Sequence, residues 1–182
     1  MKRFIIISVL FLSFTMVYGV NPAKEYRYTP SDYKMVYNQH SILTSDGYKL
    51  NAWSFPQKDT TADVALIAYG DAGNMGEWLG MAYLLNSMGM EVWMFDYRGF
   101  GHSDEFATQR SVLVYDEFYN DFESVVKYVY NQNNRPIILC GISMGTILVN
   151  RLLKQGDYSD MVKACILDGF YYRRKFDDKQ AE

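Results

Sequence analysis

Two cysteines and two histidines are all that this 182-residue chain offers of the side chains that staple small secreted domains or hold zinc. So few thiols exclude a disulfide-dense scaffold, and the positions His40, His102, Cys140 and Cys165 give no zinc-ligand spacing. Basic charge is scarce too: 18 Lys and Arg against 21 Asp and Glu leave a formal net charge of -3, which argues against DNA or RNA as a partner. What is plentiful is apolar and aromatic side chains, 49% and 16% of the chain, and that content excludes intrinsic disorder. The length suits one domain or a piece of a larger one.

The amino-terminal end reads as a targeting segment. Lys2 and Arg3 form a short positive region, and between Phe4 and Tyr18 the polar side chains are Ser8, Ser13, Thr15 and the terminal Tyr18 hydroxyl. The run is apolar enough to enter a translocon but short of the about 20 residues of a spanning helix. Val17 and Gly19 fit the -3 and -1 positions of a signal-peptidase site. The expectation is a signal peptide over residues 1–19 and export to the periplasm or the medium, with an uncleaved membrane anchor as the alternative. No Cys follows the run, so a lipid anchor is not expected. Loss of Lys2 and Arg3 would take the charge from -3 to -5. Cys140 and Cys165 both sit in apolar runs that read as buried strands, so free buried thiols are expected in preference to a disulfide.

Beyond a polar, Tyr-rich lead that fills positions 20–38, residues 39–182 alternate strand and helix. His40–Thr44 and Tyr48–Phe55 flank Ser45-Asp46-Gly47, a hairpin signal. Val64–Tyr69, Val92–Phe95, Ile137–Cys140 and Ala164–Leu167 are short, nearly continuous apolar runs, as strands buried on both faces would be. Between them, Trp78, Leu79, Met81, Ala82, Leu84, Leu85 and Met88 recur at helical spacing before Gly89. Tyr115, Phe118, Phe122, Val125, Val126 and Val129 mark one face of a longer helix whose acidic residues are expected on the other side. Asn133-Asn134-Arg135-Pro136 breaks that helix, and Thr146–Lys154 forms another that stops at Gly156. A hairpin followed by strand–helix–strand units predicts an α/β fold with a mostly parallel, doubly wound sheet. Its chemistry belongs at the carboxyl ends of the strands, so the loops after Tyr69, Phe95, Cys140 and Leu167 carry the argument.

The loop after Cys140 reads Gly141-Ile142-Ser143-Met144-Gly145. A strand that hands over to a helix in so few residues forces Ser143 into strained backbone angles, and its neighbours two places away must be very small, as Gly141 and Gly145 are. The outcome is a hydroxyl pushed out above the positive end of the next helix. The loop after Tyr69 reads Gly70-Asp71-Ala72-Gly73-Asn74. Acyl transfer needs two main-chain N–H donors aimed at a developing oxyanion; the candidates are those of Met144 and Asp71. The spacing of Gly70, Gly73 and Gly76 is neither a dinucleotide fingerprint nor a P-loop, so a nucleotide site is the weaker reading. The loop Asp96-Tyr97-Arg98-Gly99-Phe100-Gly101-His102-Ser103-Asp104 is expected to brace the site floor, with Arg98 paired to Asp96.

Together these three loops resemble those of an α/β-hydrolase, in the serine hydrolase group that contains the Bem46-like and serine-aminopeptidase-like enzymes. That group's oxyanion loop reads His-Gly-Asn-Ala-Gly-Asn; here it is Tyr69-Gly70-Asp71-Ala72-Gly73-Asn74. Asp96-Tyr97-Arg98-Gly99-Phe100-Gly101 matches the loop after its fourth strand, and Gly141-Ile142-Ser143-Met144-Gly145 its nucleophile elbow. The resemblance runs from about His40 to the end of the chain and implies the N-terminal part of that fold. It implies Ser143 as nucleophile, an acyl ester, thioester, amide or peptide substrate, and no metal or organic cofactor. Tyr69 changes the shape behind the oxyanion position, and Asp71 adds a negative charge beside it.

The family's triad runs Ser, then Asp or Glu, then His. No His follows Ser143. His102 is expected to pack or bond within its loop, and Asp168-Gly169 to be a strand-end turn. The acid and base are therefore expected beyond residue 182, and the 182-residue chain is expected to be nearly inactive. The competing reading is a non-catalytic exported relative, a pseudoenzyme or gene fragment, with the same fold.

Overall fold

A computed structural model describes residues 19–169 apart from Arg110, Leu113 and Asp157. The targeting segment expected over residues 1–19 falls almost wholly outside them, as does the stretch after Gly169.

Six strands form one sheet. They are β1 (Asn38–Leu43), β2 (Lys49–Phe55), β3 (Val64–Ala68), β4 (Glu91–Phe95), β5 (Ile137–Ile142) and β6 (Val162–Asp168). Their spatial order is β1-β2-β4-β3-β5-β6. The β1–β2 and β2–β4 pairs are antiparallel, and the β4–β3, β3–β5 and β5–β6 pairs are parallel. The three helices are α1 (Leu79–Ser87), α2 (Asp116–Asn133) and α3 (Met144–Gln155). Chain progress from β3 to β4 runs opposite in the sheet to that from β4 to β5 and from β5 to β6. Right-handed crossovers therefore place α1 on one face and α2 with α3 on the other, and α2 does contact α3.

The alternation read from the sequence holds element by element, with ends shifted by a few residues. Asp46 and Gly47 make the hairpin turn: Gly47 has φ 92, and the Thr44 N–H donates to the Tyr48 carbonyl at 2.8 Å. The first helix begins later than the apolar spacing suggests, because Met75–Trp78 is a 3-10 turn capped by the Asn74 side chain, which accepts from the Gly76 N–H at 3.1 Å. Asn134 ends α2 in the left-handed region at φ 50.

The core lies on both sides of β3, β4 and β5. Every residue of β3 is buried, as is every residue of β5, against Leu79 and Ala82 of α1, Phe118, Phe122 and Val126 of α2, and Leu148 and Leu152 of α3. The expected fourth buried strand departs from this. β6 is a strand, but Ile166 is 46% exposed and Leu167 39% exposed. It is the edge strand among the described residues, and an apolar run is buried only where a neighbour covers it. Cys165, expected to be buried, is accordingly half-buried, whereas Cys140 in β5 is fully buried; both are free thiols. Burial raises the pKa of both, that of Cys140 to about 11, so neither is a thiolate at neutral pH.

A second correction concerns α2. Phe118, Phe122, Val125, Val126 and Val129 face inward as the spacing requires, but Asp121 goes in with them and is fully buried. The reason is Arg98, itself 1% exposed. Its guanidinium lies 2.7 Å from Asp121 Oδ1 and 2.7 Å from Asp46 Oδ2, and its main-chain N–H donates to Asp121 Oδ2 at 2.9 Å. The loop after β4 therefore braces the floor as expected, but Arg98 is paired with Asp46 and Asp121 instead of Asp96. Tyr48 lies under the guanidinium, 4.0 Å from it to the ring centre. Burial pushes Asp121 up to about 6 against the pull of Arg98. The hydrogen bond from Arg98 holds the more exposed Asp46 down at about 2.

Candidate active site

Ser143 stands where β5 becomes α3, and it is exposed although the residues on either side of it are buried. Its backbone has φ 49 and ψ -115. Lys34 and Asn134 also have positive φ, but with ψ 32 and 36 they lie in the ordinary left-handed basin. Ser143 lies far from it. Such a conformation stores about 1–3 kcal/mol and persists only when the surroundings dictate it. They do so here from three sides. The Ser143 N–H donates to the Asp168 carbonyl of β6 at 2.9 Å. The Ser143 carbonyl accepts the Thr146 N–H at 2.9 Å and its hydroxyl at 2.6 Å. Gly145 packs so tightly on β3 that a methyl group there would lie 1.8 Å from the Ala68 carbonyl oxygen. Gly141 is less confined, with 3.0 Å to the Gly145 carbonyl and to Leu167. Backbone contact thus requires the small residue at 145 and favours one at 141.

The loop after β3 comes to the same place. A methyl built on Gly70 would sit 3.5 Å from Ser143 Cβ and 3.9 Å from its Oγ. Gly73 takes φ 77, which turns the chain toward the 3-10 segment. Asp71 is half-buried and Met144 is buried. Among the described residues, neither of their main-chain N–H groups donates a hydrogen bond within the protein. Two free donors beside one exposed hydroxyl can stabilise negative charge that develops on an oxygen bonded to the same carbon.

Beneath the loop lies a carboxylate whose surroundings the sequence did not disclose. Asp96 is fully buried, and among the described residues no cation pairs with it. Its Oδ1 accepts from the Tyr69 hydroxyl at 3.0 Å and from the Met75 N–H at 2.8 Å, and its Oδ2 accepts from the Tyr26 hydroxyl. Burial raises the pKa of Asp96, and those donors pull it back. Tyr69, which stands where the family loop has His, thus ties the strand end to the floor. The Tyr97 hydroxyl donates to the Tyr69 carbonyl at 3.1 Å from the other side. Gly101 makes room for Asp96, since a methyl there would fall 2.0 Å from Oδ2.

Neither histidine is beside Ser143. His102 is exposed, packs its ring edge on Tyr26 at 4.6 Å, and lines a cavity of about 440 Å³ with Gln39, Lys49 and Asn51 at the β1–β2 side. His40 is held by Ser54 Oγ at 2.8 Å and by the Trp93 ring at 4.4 Å. Burial lowers its pKa. Asp168 meets Ser143 through its main chain, and Gly169 follows at φ 70; the rest of the expected strand-end turn lies outside the described residues. Among the described residues no three His, Cys, Asp or Glu side chains are grouped to hold a metal ion.

Comparison with known proteins agrees with this geometry. The profile of the hydrolase family described as serine aminopeptidase, S33, matches residues 60–174, well over half of the chain. The chain belongs to that family of α/β-hydrolases. It is 31% identical over 137 residues to the uncharacterized protein YfhR of Escherichia coli O157:H7, covering 71% of this chain and 46% of that one. It is 25% identical over 147 residues to an uncharacterized membrane protein of Saccharomyces cerevisiae, covering 79% and 49%. In three dimensions it is similar to the Pyrococcus furiosus esterase Pf2001, with a TM-score of 0.66 at 23% identity over 81% of this chain and 54% of that one. The chain spans about half the length of the curated relatives it matches.

Proposed function

We propose that Ser143 is the nucleophile of a serine hydrolase that cleaves a carboxylic ester, thioester or amide in a small acyl substrate or a peptide. The observation that carries this reading is an exposed hydroxyl on a strained backbone, φ 49 and ψ -115, beside a loop whose Asp71 N–H is unengaged. In this mechanism Ser143 Oγ attacks the carbonyl carbon and gives its proton to a base. The carbonyl electron pair moves onto oxygen, where the N–H groups of Met144 and Asp71 receive it. Collapse expels the alcohol, thiol or amine with that proton, and water then repeats the sequence to free the acid. The Asp71 carboxylate adds a negative charge to that loop and disfavours substrates that bring a second one there.

The base and its acid are assigned to the part of the fold that the relatives possess and these 182 residues do not span, since no His follows Ser143. Loss of the base in such enzymes lowers turnover on the order of 10⁶-fold and leaves about 10³–10⁴ over water. The 182-residue polypeptide by itself is therefore expected to hydrolyse esters barely, if at all. A fluorophosphonate probe tests the nucleophile: labelling of the full-length gene product must vanish in Ser143→Ala, and equal labelling of both removes the assignment. The engagement of both histidines elsewhere favours one other reading, a non-catalytic relative with the same fold. That reading predicts no labelling of any form, including the full-length one.

For location, we infer export directed by residues 1–19. Among the described residues no helix is long and apolar enough to cross a membrane. Amino-terminal sequencing of the secreted protein tests the inference; recovery only of chains that begin at Met1 contradicts cleavage.

A further inference from the structure

The segment ahead of the hairpin has no place in the reaction just described, and it lies outside residues 60–174 that the family profile matches. Yet it does not run free. Asn21 and Pro22 pair in parallel with Ala72 and Gly73. The Asn21 N–H donates to the Asp71 carbonyl at 2.8 Å, and the Ala23 N–H donates to the Gly73 carbonyl at 2.8 Å. The Asn74 side-chain amide donates back to the Glu25 carbonyl at 2.8 Å. A methyl on Gly76 would meet the Tyr28 carbonyl oxygen at 2.5 Å, so the contact continues past the loop. Asp71, Gly73 and Asn74 are each hydrogen-bonded from outside by this segment.

The grip has a fixed post. Tyr69 and Met75 bracket the loop, and both donate to the same oxygen of Asp96, while Tyr26 of the lead donates to the other. The Tyr26 hydroxyl in turn accepts from Asn51 Nδ2 at 2.7 Å and from the His102 N–H at 3.3 Å. The far side of the lead is tied as well, through the Gly101 N–H to the Ala23 carbonyl at 2.9 Å. Of the two proposed oxyanion donors, Met144 is fixed by α3 and the elbow. Asp71 lies just before the two-residue bridge of Ala72 and Gly73 with the lead, and its carbonyl accepts the Asn21 N–H.

We propose that the lead Val20–Tyr28 is a strap that aims the Asp71 N–H, with Tyr26 its positioning residue. The inference rests on the serine hydrolase reading above. Its chemical content is that the lead sets the rate of acyl transfer without touching substrate. Losing an aimed oxyanion donor lowers turnover by about 10²–10³, and loosening it should cost a part of that.

The test compares the full-length gene product with Tyr26→Phe, which keeps the ring against Trp53 and His102, and with Ala23→Pro, which removes one N–H of the strap. On a p-nitrophenyl ester, kcat should fall about tenfold in each with KM within about twofold. In parallel, amide hydrogen exchange at Met75 and Gly76, whose N–H groups are held by Asp96 and Asn74, should quicken at least tenfold, while the amides of β3 and β5 keep their protection. Ester turnover that Ser143→Ala abolishes but both strap variants retain within twofold overturns the strap and leaves the hydrolase reading intact. Unchanged exchange at Met75 and Gly76 overturns it too, whether or not the ester is turned over. Loss of ester turnover in the unmodified protein counts against the hydrolase reading, and exchange alone then decides whether the lead holds the loop.

Discussion

The two sides of the sheet are built differently. On the side of β1, β2 and β4, the lead, the hairpin turn and the loop after β4 are knitted by buried polar groups: Arg98 with Asp46 and Asp121, and Asp96 with Tyr26, Tyr69 and the Met75 N–H. On the side of β6 the described residues form no such network, and the strand shows apolar side chains to solvent. The elbow lies at the seam. Gly145 touches β3 in the packed centre, while the Ser143 N–H leans on β6. Ser143 can thus be rigidly seated although one of its supports is an exposed edge strand, because Gly145 is in close backbone contact with β3 on the packed side.

That contrast can be broken deliberately. Gly145→Val forces side-chain atoms into the Ala68 carbonyl, where even a methyl would come within 1.8 Å. Urea unfolding should show a loss of about 5 kcal/mol, at the top of the range for a single change. Asp121→Ala leaves Arg98 buried with half its partners gone and should lower stability by about 3–4 kcal/mol, measured the same way. Ser143→Gly should move in the opposite direction. Relief of a strained φ of 49 should outweigh the added freedom of the unfolded chain by about 1 kcal/mol, seen as a higher Tm.

Acidity gives a smaller effect with a definite sign. Asp46 is held at about 2 by Arg98, below the ordinary carboxylate range, so its ion pair supports the fold above about pH 4 and is lost as the pH falls through about 2. Asp121, raised to about 6, works the other way and gives up its contribution as the pH climbs from about 4 through about 6. Asp46→Asn should therefore flatten the acid limb of a Tm-against-pH curve and leave the limb above pH 4 with its shape. The smallest change is expected at the bare edge, where Ile166→Thr should shift stability by no more than about 0.5 kcal/mol in urea. A loss of about 2 kcal/mol there would mean that β6 is covered in solution.

Much of this architecture could be read from the chain because strands buried on both faces announce themselves as short apolar runs. The tight turn at Ser143 left its mark as well: a methyl on Gly145 would strike the Ala68 carbonyl, and the small residue there records that constraint. The misreadings share another cause. Asp121 follows Phe118 by three places and so lies on the inward stripe of α2, a position that helical geometry discloses but that its charge argues against. Asp96 was given to Arg98 because opposite charges two residues apart invite pairing, whereas in a strand such residues share a face only until the strand ends, and Arg98 lies beyond Phe95 in the loop. Ala164–Leu167 has the composition of a buried strand, but burial depends on what lies alongside and not on the strand itself. The lead carries no motif, since its grip on the loop after β3 is almost wholly main chain and marks residue choice only at a few scattered positions, Tyr26, Asn74 and Gly76 among them.

Val20 donates its N–H to the Val112 carbonyl, and Asn21 is already bonded to Asp71. Once residues 1–19 are removed, as the export reading proposes, an affinity tag or carrier protein joined at Val20 sits directly against the loop after β3. For anyone producing the protein, the amino terminus is the wrong handle to pull.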